Sequence, residues 1–338
     1  MSSAASPEAP RGWALVGPGN IARRFAGAVK GIPGTRLAAV VGRDAARAAA
    51  FAAQWGDADT AALTDLDAAL ARPDVHAVYV CTPHPQHAGA VRAALAAGKP
   101  VLCEKPLTPC AAATRPLIDL ARANGVFLME AVWTRFLPLH RRVQQRLADG
   151  AIGEVRAMQS AFCIDRPFKP GDRRYTAALG GGALLDIGLY NLTVSRLALP
   201  DVAVQGFEVQ ATLGGENVDV QLAATLDFGA GRTSQFTCGF FGSGDNSFRI
   251  LGTRGHLVIH GGFWEATAAT LHRDGAAPER IEAPFRINGF EYEIEEAMRC
   301  IRAGLAESPL LPLAESLAVV ELMDAMRARI GVRYPFER

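Results

Sequence analysis

A glycine-rich loop near the start of the chain constrains its fold most. The string Gly17-Pro18-Gly19-Asn20-Ile21-Ala22 follows a strand-like apolar run at 12–16 and opens a helix predicted to extend to about Lys30. A G-x-G-x-x-A loop in this context is typical of a βαβ unit that binds a dinucleotide. Gly17 permits the tight turn, Gly19 lets the backbone approach a pyrophosphate, and the helix N-terminus favours an anion. The alternative is an ordinary Gly/Pro turn.

Short apolar strands then alternate with alanine-rich helices. The predicted strands lie at 37–41, 75–81, 101–103 and 126–129, and the predicted helices at 44–54, 65–71, 86–97 and 110–124. This alternation indicates a parallel, doubly wound sheet. We therefore expect an α/β protein with an N-terminal Rossmann dinucleotide-binding domain at 12–132, preceded by a disordered tail at 1–11.

The pattern changes after about Trp133. A helix at 137–149 leads into strand-like runs with turn signals but no alternating helices, at 155–163, 202–213, 218–228, 231–239, 247–252 and 255–259. Two helices, 292–303 and 313–330, close the chain. We expect a C-terminal α+β domain at 133–338 with a large, mostly antiparallel open sheet. Its last helices are candidates to pack back on the first domain.

Bulk properties exclude several function classes. The net charge of +1 gives no basic field for nucleic acid. No apolar run approaches the roughly 20 residues that cross a bilayer, so no membrane partner is expected. The first ten residues lack the basic and apolar regions of a secretory signal. The six cysteines form no C-x-x-C pair, which favours free thiols in a reducing cytoplasm and no metal site.

The end of the second strand favours NADP over NAD. An NAD enzyme places a carboxylate there for the ribose 2′-OH, whereas this chain has Arg43, whose guanidinium suits a 2′-phosphate. NAD remains the alternative because of Asp44, which can either cap the next helix or reach the ribose. The third strand ends in Thr82-Pro83-His84-Pro85-Gln86-His87, a loop expected to face the cofactor. For His87, packing of the following helix and direct cofactor contact are equal alternatives.

Glu104-Lys105-Pro106 follows the fourth strand. Lysine is rare here: of 35 basic residues only Lys30, Lys99, Lys105 and Lys169 are lysines. An ammonium is compact and its pKa moves when it is buried, so a lysine at this place suggests a chemical role. A surface lysine at a turn is the alternative.

The run at 179–190 contains three glycines and then Asp186 and Tyr190, four residues apart and so on one helical face. A half-exposed helix with Asp in its first turn is the alternative. Tyr190 and Lys105 are complementary, because a nearby ammonium lowers the pKa of a phenol. Tyr190 can then take a hydroxyl proton while hydride leaves for a nicotinamide, and Asp186 can hold a neighbouring substrate hydroxyl.

With these motifs the chain resembles the Gfo/Idh/MocA oxidoreductases over nearly its whole length. The strings that match its dihydrodiol and NADP-dependent D-xylose dehydrogenase branch are 84–87, 129–136 and 180–190. Many family members have a histidine where this chain has Tyr190, but this branch has tyrosine. The resemblance implies that Lys105 and Tyr190 are catalytic, and we also expect Glu104 at the cofactor. It further implies a cis peptide bond before Pro106 and a homodimer or higher homo-oligomer formed through the second domain's sheet.

By the same resemblance, Trp133, Arg135 and Trp264 lie near nicotinamide or substrate. The aromatic side chains of Trp133, Phe136, Phe162 and Trp264 can stack on a sugar or a diol, or fill a core, and for Phe162 a core position is favoured. The expected activity is NADP-dependent hydride transfer at a sugar or cyclic vicinal diol carbon. A glycoside hydrolase that uses NAD for transient oxidation and a non-catalytic NADP-binding regulator are the alternatives.

Overall fold

The computed structural model describes residues 11–337, so the expected disordered tail lies, except for Arg11, outside the described residues. Two compact units make up the chain. The first holds the described residues up to Thr108, together with 112–131 and Arg286–Ser316, and the second holds 109–111, Val132–Phe285 and the residues from Leu317 onward. The assignment of cofactor to the first unit and substrate to the second stays a prediction.

Strands and helices alternate through the first part of the chain. In order they are β1 Arg11–Val16, α1 Asn20–Gly31, β2 Thr35–Val41, α2 Ala45–Trp55, β3 Ala61–Leu63, α3 Leu66–Leu70, β4 Ala77–Val80, α4 His87–Ala96, β5 Val101–Glu104, α5 Ala111–Asn124 and β6 Leu128–Ala131.

Strands dominate the remainder. In order the elements are α6 Pro138–Ala148, β7 Val155–Cys163, α7 Leu189–Ala198, β8 Gly206–Gly214, β9 Val218–Asp227, β10 Thr233–Gly239, β11 Phe248–Gly252, β12 Gly255–Ile259, β13 Ala268–Arg273, β14 Glu279–Glu282, α8 Glu291–Arg302 and α9 Leu313–Ile330.

The sheet of the first unit is parallel throughout, in the order β3-β2-β1-β4-β5-β6. This is the order of a dinucleotide-binding Rossmann fold and confirms the predicted class. Every residue of β4 and β5 is buried, as expected for strands covered on both faces. The sequence prediction missed β3, which has only three residues and two alanines. Because β1 and β4 are neighbours, the loops that follow them meet at one edge of the sheet.

The sheet of the second unit has eight strands in the order β14-β13-β12-β11-β7-β10-β9-β8. Only β7 and β10 pair in parallel, so the predicted mostly antiparallel sheet is confirmed. Two strands at one side of the sheet, β13 and the edge strand β14, were not predicted; β14 contains a single apolar residue, Ile281. The predicted strand at 202–213 begins only at Gly206.

The segment 177–198 packs in the core of the second unit. Its length and composition alone would let it cross a bilayer, yet 83% of its most apolar window is buried inside the protein, as in the core helix of a globular domain. One π-helical turn, Leu184–Gly188, leads into α7. This turn and α7 carry Asp186 and Tyr190.

Candidate active site

The glycine loop brings the ends of β1 and β4 into close contact. Gly17 has a φ of +99°, and its N–H donates to the carbonyl of Val41 at 2.9 Å. A Cβ at Gly17 would lie 2.9 Å from the backbone nitrogen of Thr82. Glycine is therefore required at position 17 both by conformation and by space.

The surroundings of this loop fit a dinucleotide. A Cβ at Gly19 would meet nothing nearer than the Gly17 carbonyl oxygen at 3.9 Å, which leaves room for a ligand against the backbone. Helix α1 begins at Asn20, and no side chain caps it. The Thr82 hydroxyl is buried and has no hydrogen-bond partner within residues 11–337. A pyrophosphate can accept hydrogen bonds from such free donors.

At the end of β2, the charged side chains are arranged differently from those of an NAD site. Asp44 caps α2, because its Oδ1 accepts the N–H of Arg47 at 2.9 Å. The Arg47 guanidinium reaches back to the carbonyl of Pro18 in the glycine loop at 3.1 Å. Arg43 is exposed at the end of β2. One guanidinium, that of Arg47, thus contacts the glycine loop, while the Asp44 carboxylate is engaged in a helix cap.

His87 ties two loops together within the first unit. Its ring is fully buried, with Nε2 2.8 Å from the carbonyl oxygen of Thr82 and Nδ1 2.9 Å from that of Pro106. Burial lowers the pKa of His87, and its contacts with backbone carbonyls oppose that shift. His84 is also buried, with its ring 5.8 Å from that of His87. Because both ring nitrogens of His87 face protein carbonyls, the geometry favours packing over direct cofactor contact.

Buried carboxylates fix the backbone around Lys105. The Lys105 N–H donates to Oε2 of Glu104 at 3.2 Å, and the N–H of Leu107 donates to Oε1 of Glu130 at 2.9 Å. The peptide bond between Lys105 and Pro106 is cis, as the family resemblance implies. The hydroxyl of Tyr79 supports Glu104 from within the core. Lys105 itself is partly exposed at the end of β5.

Burial controls the charges behind this segment. It raises the pKa of Glu130 to about 7, against the opposing hydrogen bond from the Leu107 N–H. Burial also raises the pKa of Glu293 well above its ordinary value, and the neighbouring Glu104 carboxylate adds to that effect.

In the second unit, Asp186 and Tyr190 are both buried on the π-helical turn and α7. Oδ1 of Asp186 forms an ion pair of 2.9 Å with Arg173, whose side chain is 44% exposed. Asp186 thus has a cationic partner that sequence reasoning missed. Because Arg173 is partly solvated, the pair remains accessible from the surface.

An aromatic cluster adjoins Tyr190. The rings of Phe162 and Trp264 are stacked with centroids 3.4 Å apart, and the Phe162 centroid is 5.8 Å from that of Tyr190. The Thr134 hydroxyl donates to the carbonyl of Trp264 at 2.6 Å, which ties this cluster to the 133–135 turn. Phe162 is buried, as favoured from the sequence.

The 133–136 segment supplies the remaining predicted residues. Trp133 and Phe136 are buried, and Arg135 is half-buried. The Trp133 ring lies 6.3 Å from that of Phe285. Their contacts with nicotinamide or substrate stay predictions.

The predicted residues fall into two groups. One group lies in the first unit and consists of Gly17, Gly19, Asn20, Ile21, Arg43, Thr82, Pro83, His84, His87, Glu104 and Lys105; the other lies in the second and consists of Trp133, Arg135, Phe136, Asp186, Tyr190 and Trp264. The approach of Lys105 to Tyr190 stays a prediction. Sequence reasoning missed Arg47, Tyr79 and Glu130. Of these only Glu130 left a signal, as a carboxylate within the apolar run 126–131.

Comparison with known proteins gives consistent matches. Residues 11–132 match the oxidoreductase family with an NAD-binding Rossmann fold, and residues 140–258 match the GFO/IDH/MocA C-terminal domain. Trans-1,2-dihydrobenzene-1,2-diol dehydrogenases of Mus musculus and Homo sapiens are each 32% identical, and each alignment covers 96% of this chain and 98% of the relative.

A solved structure matches equally well. A 3-ketoreductase from Actinomadura kijaniata, in complex with NADP and TDP-benzene, is 32% identical with a TM-score of 0.83, over 94% of this chain and 97% of that one. The parallel sheet, the glycine loop and these full-length similarities lead to one assignment. The chain belongs to the Gfo/Idh/MocA family of oxidoreductases.

Proposed function

We propose that this protein is an NADP-dependent oxidoreductase that moves hydride between nicotinamide and a CH–OH or carbonyl carbon of a sugar or a cyclic vicinal diol. One observation carries the proposal: Asp186 and Tyr190 share a buried helical segment beside the stacked rings of Phe162 and Trp264. An acid/base pair next to an aromatic surface suits a polyhydroxylated ring, which has hydroxyl groups at its edge and an apolar face.

Tyr190 acts as the acid/base of the reaction, with Lys105 as its assistant. The phenol takes the proton of the substrate hydroxyl during oxidation and returns it during reduction. The Lys105 ammonium favours the phenolate and so lowers the pKa of Tyr190. The nicotinamide supplies only the hydride acceptor or donor. Asp186, held by Arg173, orients a neighbouring hydroxyl.

NADP is favoured by the charges at the end of β2. Arg43 and Arg47 offer two guanidinium groups for a 2′-phosphate. Asp44 is engaged as the cap of α2, and its side chain already accepts a backbone N–H. The ketoreductase from Actinomadura kijaniata was solved with NADP, in line with this preference.

The substrate class follows from the relatives together with the aromatic cluster. The similar mammalian proteins act on a trans-dihydrodiol, and an aldose-aldose oxidoreductase from Caulobacter crescentus, solved with glycerol, shares the fold at 25% identity and a TM-score of 0.85. Both substrate types place adjacent hydroxyl groups on a ring or chain.

Assembly as a homodimer through the eight-stranded sheet is part of the proposal, and light scattering tests it.

Two other functions remain distinguishable by experiment. A hydrolase with transient oxidation retains its cofactor tightly and gives no net change in NADPH. A non-catalytic regulator binds NADP but turns over nothing, and it needs neither Tyr190 nor Lys105. The Glu104, His87 and Glu130 contacts fix the backbone that carries Lys105, which favours catalysis because a sensor needs no positioned lysine there.

The decisive experiment is a panel of aldoses, inositols and cyclic diols with NADP or NAD, followed by absorbance of the reduced cofactor. We expect turnover with NADP on at least one substrate and a loss of several orders of magnitude in Tyr190→Phe with unchanged NADP affinity. Tyr292→Phe is the matched control, since that phenol lies outside the proposed site. Wild-type turnover in Tyr190→Phe would remove the phenol from the mechanism, and release of a glycone without NADPH formation would indicate the hydrolase.

A further inference from the structure

A carboxylate from the sheet holds the start of the helical segment that carries Asp186 and Tyr190. Asp219 lies on β9 and is fully buried. Its Oδ2 accepts the N–H of Leu184, the first residue of the π-helical turn, at 2.6 Å. The first N–H groups of a helix have no partner within the helix, and a negative charge there is favourable. Asp219 therefore caps this helix from a distant strand.

The glycine run makes that contact possible. Gly182 has a φ of +114°, and a Cβ there would lie 2.3 Å from Oδ1 of Asp219. No other residue type can occupy this position without displacing the carboxylate. The run at 180–182 thus has a use that the sequence did not reveal, since it admits the Asp219 side chain to the end of the helix.

A second contact holds the same backbone from the C-terminal segment. The hydroxyl of Tyr334 donates to the carbonyl of Gly181 at 2.5 Å. The Tyr334 ring lies under the buried guanidinium of Arg327, 4.6 Å from its centroid, and Glu337 pairs with Arg327 at 2.6 Å. The Tyr334 N–H also donates to Glu337 at 3.0 Å. These contacts together fix the orientation of the Tyr334 side chain.

Both contacts lie just before the proposed catalytic residues in the chain. Leu184 precedes Asp186 by two positions and Tyr190 by six, and the Asp186 N–H bonds to the Gly182 carbonyl at 3.3 Å. A rotation of the helix about its axis would swing the carboxyl and phenol groups together. Small displacements of reacting groups lower the reaction rate strongly, because the reaction proceeds only within a small range of distances and angles between those groups.

We propose that Asp219 and Tyr334 are positioning residues for the reaction, which set the rotation of the helix so that Asp186 and Tyr190 meet the substrate. This inference rests on the proposed function. It adds two residues, on β9 and in the C-terminal segment, to the groups that determine the catalytic rate.

The test compares four variants of the full chain. Asp219→Ala removes the acceptor, Asp219→Asn keeps an acceptor oxygen of the same shape, and Tyr334→Phe keeps the ring over Arg327 but removes the hydroxyl. Ser195→Ala is the control, because Ser195 lies on α7 beyond Tyr190 and its buried hydroxyl bonds to the Asn191 carbonyl of the same helix and to the Ser234 hydroxyl on β10. Measured quantities are kcat, KM, NADP affinity and hydrogen exchange of the 183–192 peptide.

We expect kcat to fall about tenfold or more in Asp219→Ala and Tyr334→Phe, with NADP affinity unchanged. Asp219→Asn should keep most of the wild-type kcat, and Ser195→Ala should have a kcat close to that of the wild type. Hydrogen exchange of the 183–192 peptide should be faster in Asp219→Ala than in the wild type. If Asp219→Ala does not fold, the kcat of Tyr334→Phe alone tests the positioning role. Equal losses in Ser195→Ala, or unchanged kcat in Tyr334→Phe, would overturn the proposal.

Failure of the proposed function can be distinguished from failure of the positioning role by hydrogen exchange. If wild-type protein turns over no substrate of the panel, the proposed function fails, while hydrogen exchange still reports on the helix. Unchanged exchange of the 183–192 peptide in both Asp219→Ala and Tyr334→Phe would then show that neither group holds it, which refutes the positioning role independently of any activity.

Discussion

The hydroxyl of Tyr79 donates a hydrogen bond of 2.5 Å to Oε1 of Glu104, whose other oxygen accepts the N–H of Lys105. Burial raises the pKa of Tyr79 well above its ordinary value, and the Glu104 charge adds to the effect. A core phenol therefore supports the carboxylate that orients the backbone of the proposed catalytic lysine. Lys105 is positioned from inside the sheet, through Glu104.

Tyr79→Phe tests this relationship. The change removes the Tyr79 donor from Oε1 of the buried Glu104 carboxylate, at a cost of about 1–3 kcal/mol in the free energy of unfolding. We expect a lower urea midpoint and a reduced kcat, with NADP affinity preserved because Tyr79 lies in the core. The Tyr292→Phe variant serves again as the control. An unchanged midpoint would mean that Glu104 finds another donor and that Tyr79 is dispensable.

Gly17→Ala tests the close approach of the β1 and β4 loops. The added Cβ has to adopt a φ of +99° and would lie 2.9 Å from Thr82. Gly34→Ala is the matched control, because Gly34 has a φ of +74° but no atom within 4 Å of its added Cβ. Conformation alone costs about 1 kcal/mol in unfolding free energy, so we expect the larger loss in Gly17→Ala.

Cofactor binding separates the same two variants. Gly17→Ala weakens NADP binding, measured by fluorescence titration, whereas Gly34→Ala leaves it unchanged. Equal stability losses together with unaltered NADP affinity in both variants would show that the loop tolerates a side chain and is not the site of pyrophosphate binding.

Asp44→Ala distinguishes a helix cap from a ribose ligand. Loss of a cap costs about 1 kcal/mol of stability, and we expect a corresponding fall in the thermal midpoint. If Asp44 only caps α2, the ratio of kcat/KM for NADP to that for NAD stays constant. Arg43→Ala is the companion variant and should lower that ratio by about tenfold or more through the lost phosphate contact. A rise in the ratio for Asp44→Ala would restore Asp44 as a ribose ligand for NAD.

Local patterns allowed much of the fold to be predicted. The apolar strands, alanine-rich helices and the Gly17–Gly19 turn are short-range signals, so the parallel sheet and its loop were predicted from them. The strands β3, β13 and β14 are short and lack such signals, and β3 and β14 are edge strands, which need few apolar residues. Their assignment to the sheet depends on packing against the neighbouring strand, which a short stretch of sequence does not reveal.

The candidate site divides in the same way. Asp186 and Tyr190 were predicted from their spacing on one helix, which is a local property. Arg173 joins Asp186 from a loop, and Asp219 reaches Leu184 from a strand 35 residues away, so no pattern in the sequence links either pair. Buried polar groups are satisfied by partners that only the tertiary fold brings together.

The pH dependence of stability provides a last test, through Asp219. Burial raises the pKa of Asp219 from 3.8 to about 7, against the opposing hydrogen bond from the Leu184 N–H. The folded protein therefore holds this proton more tightly than the unfolded chain does. The stabilisation is complete below about pH 4 and is lost as the pH rises toward 7. Glu130 acts in the same direction, and His140, whose pKa burial lowers to about 4, acts in the opposite one.

Comparison with Asp219→Asn isolates the Asp219 contribution, since Glu130 and His140 are common to both proteins. An amide does not titrate, so the free energy of unfolding of the wild type should fall relative to the variant between pH 4.5 and pH 8. At about 1.4 kcal/mol per unit of pKa shift, the change is on the order of 4 kcal/mol at most. Urea unfolding of both proteins at several pH values measures it. A difference that stays constant with pH would mean that Asp219 is ionised throughout and that its contact with Leu184 is a full charge-assisted cap.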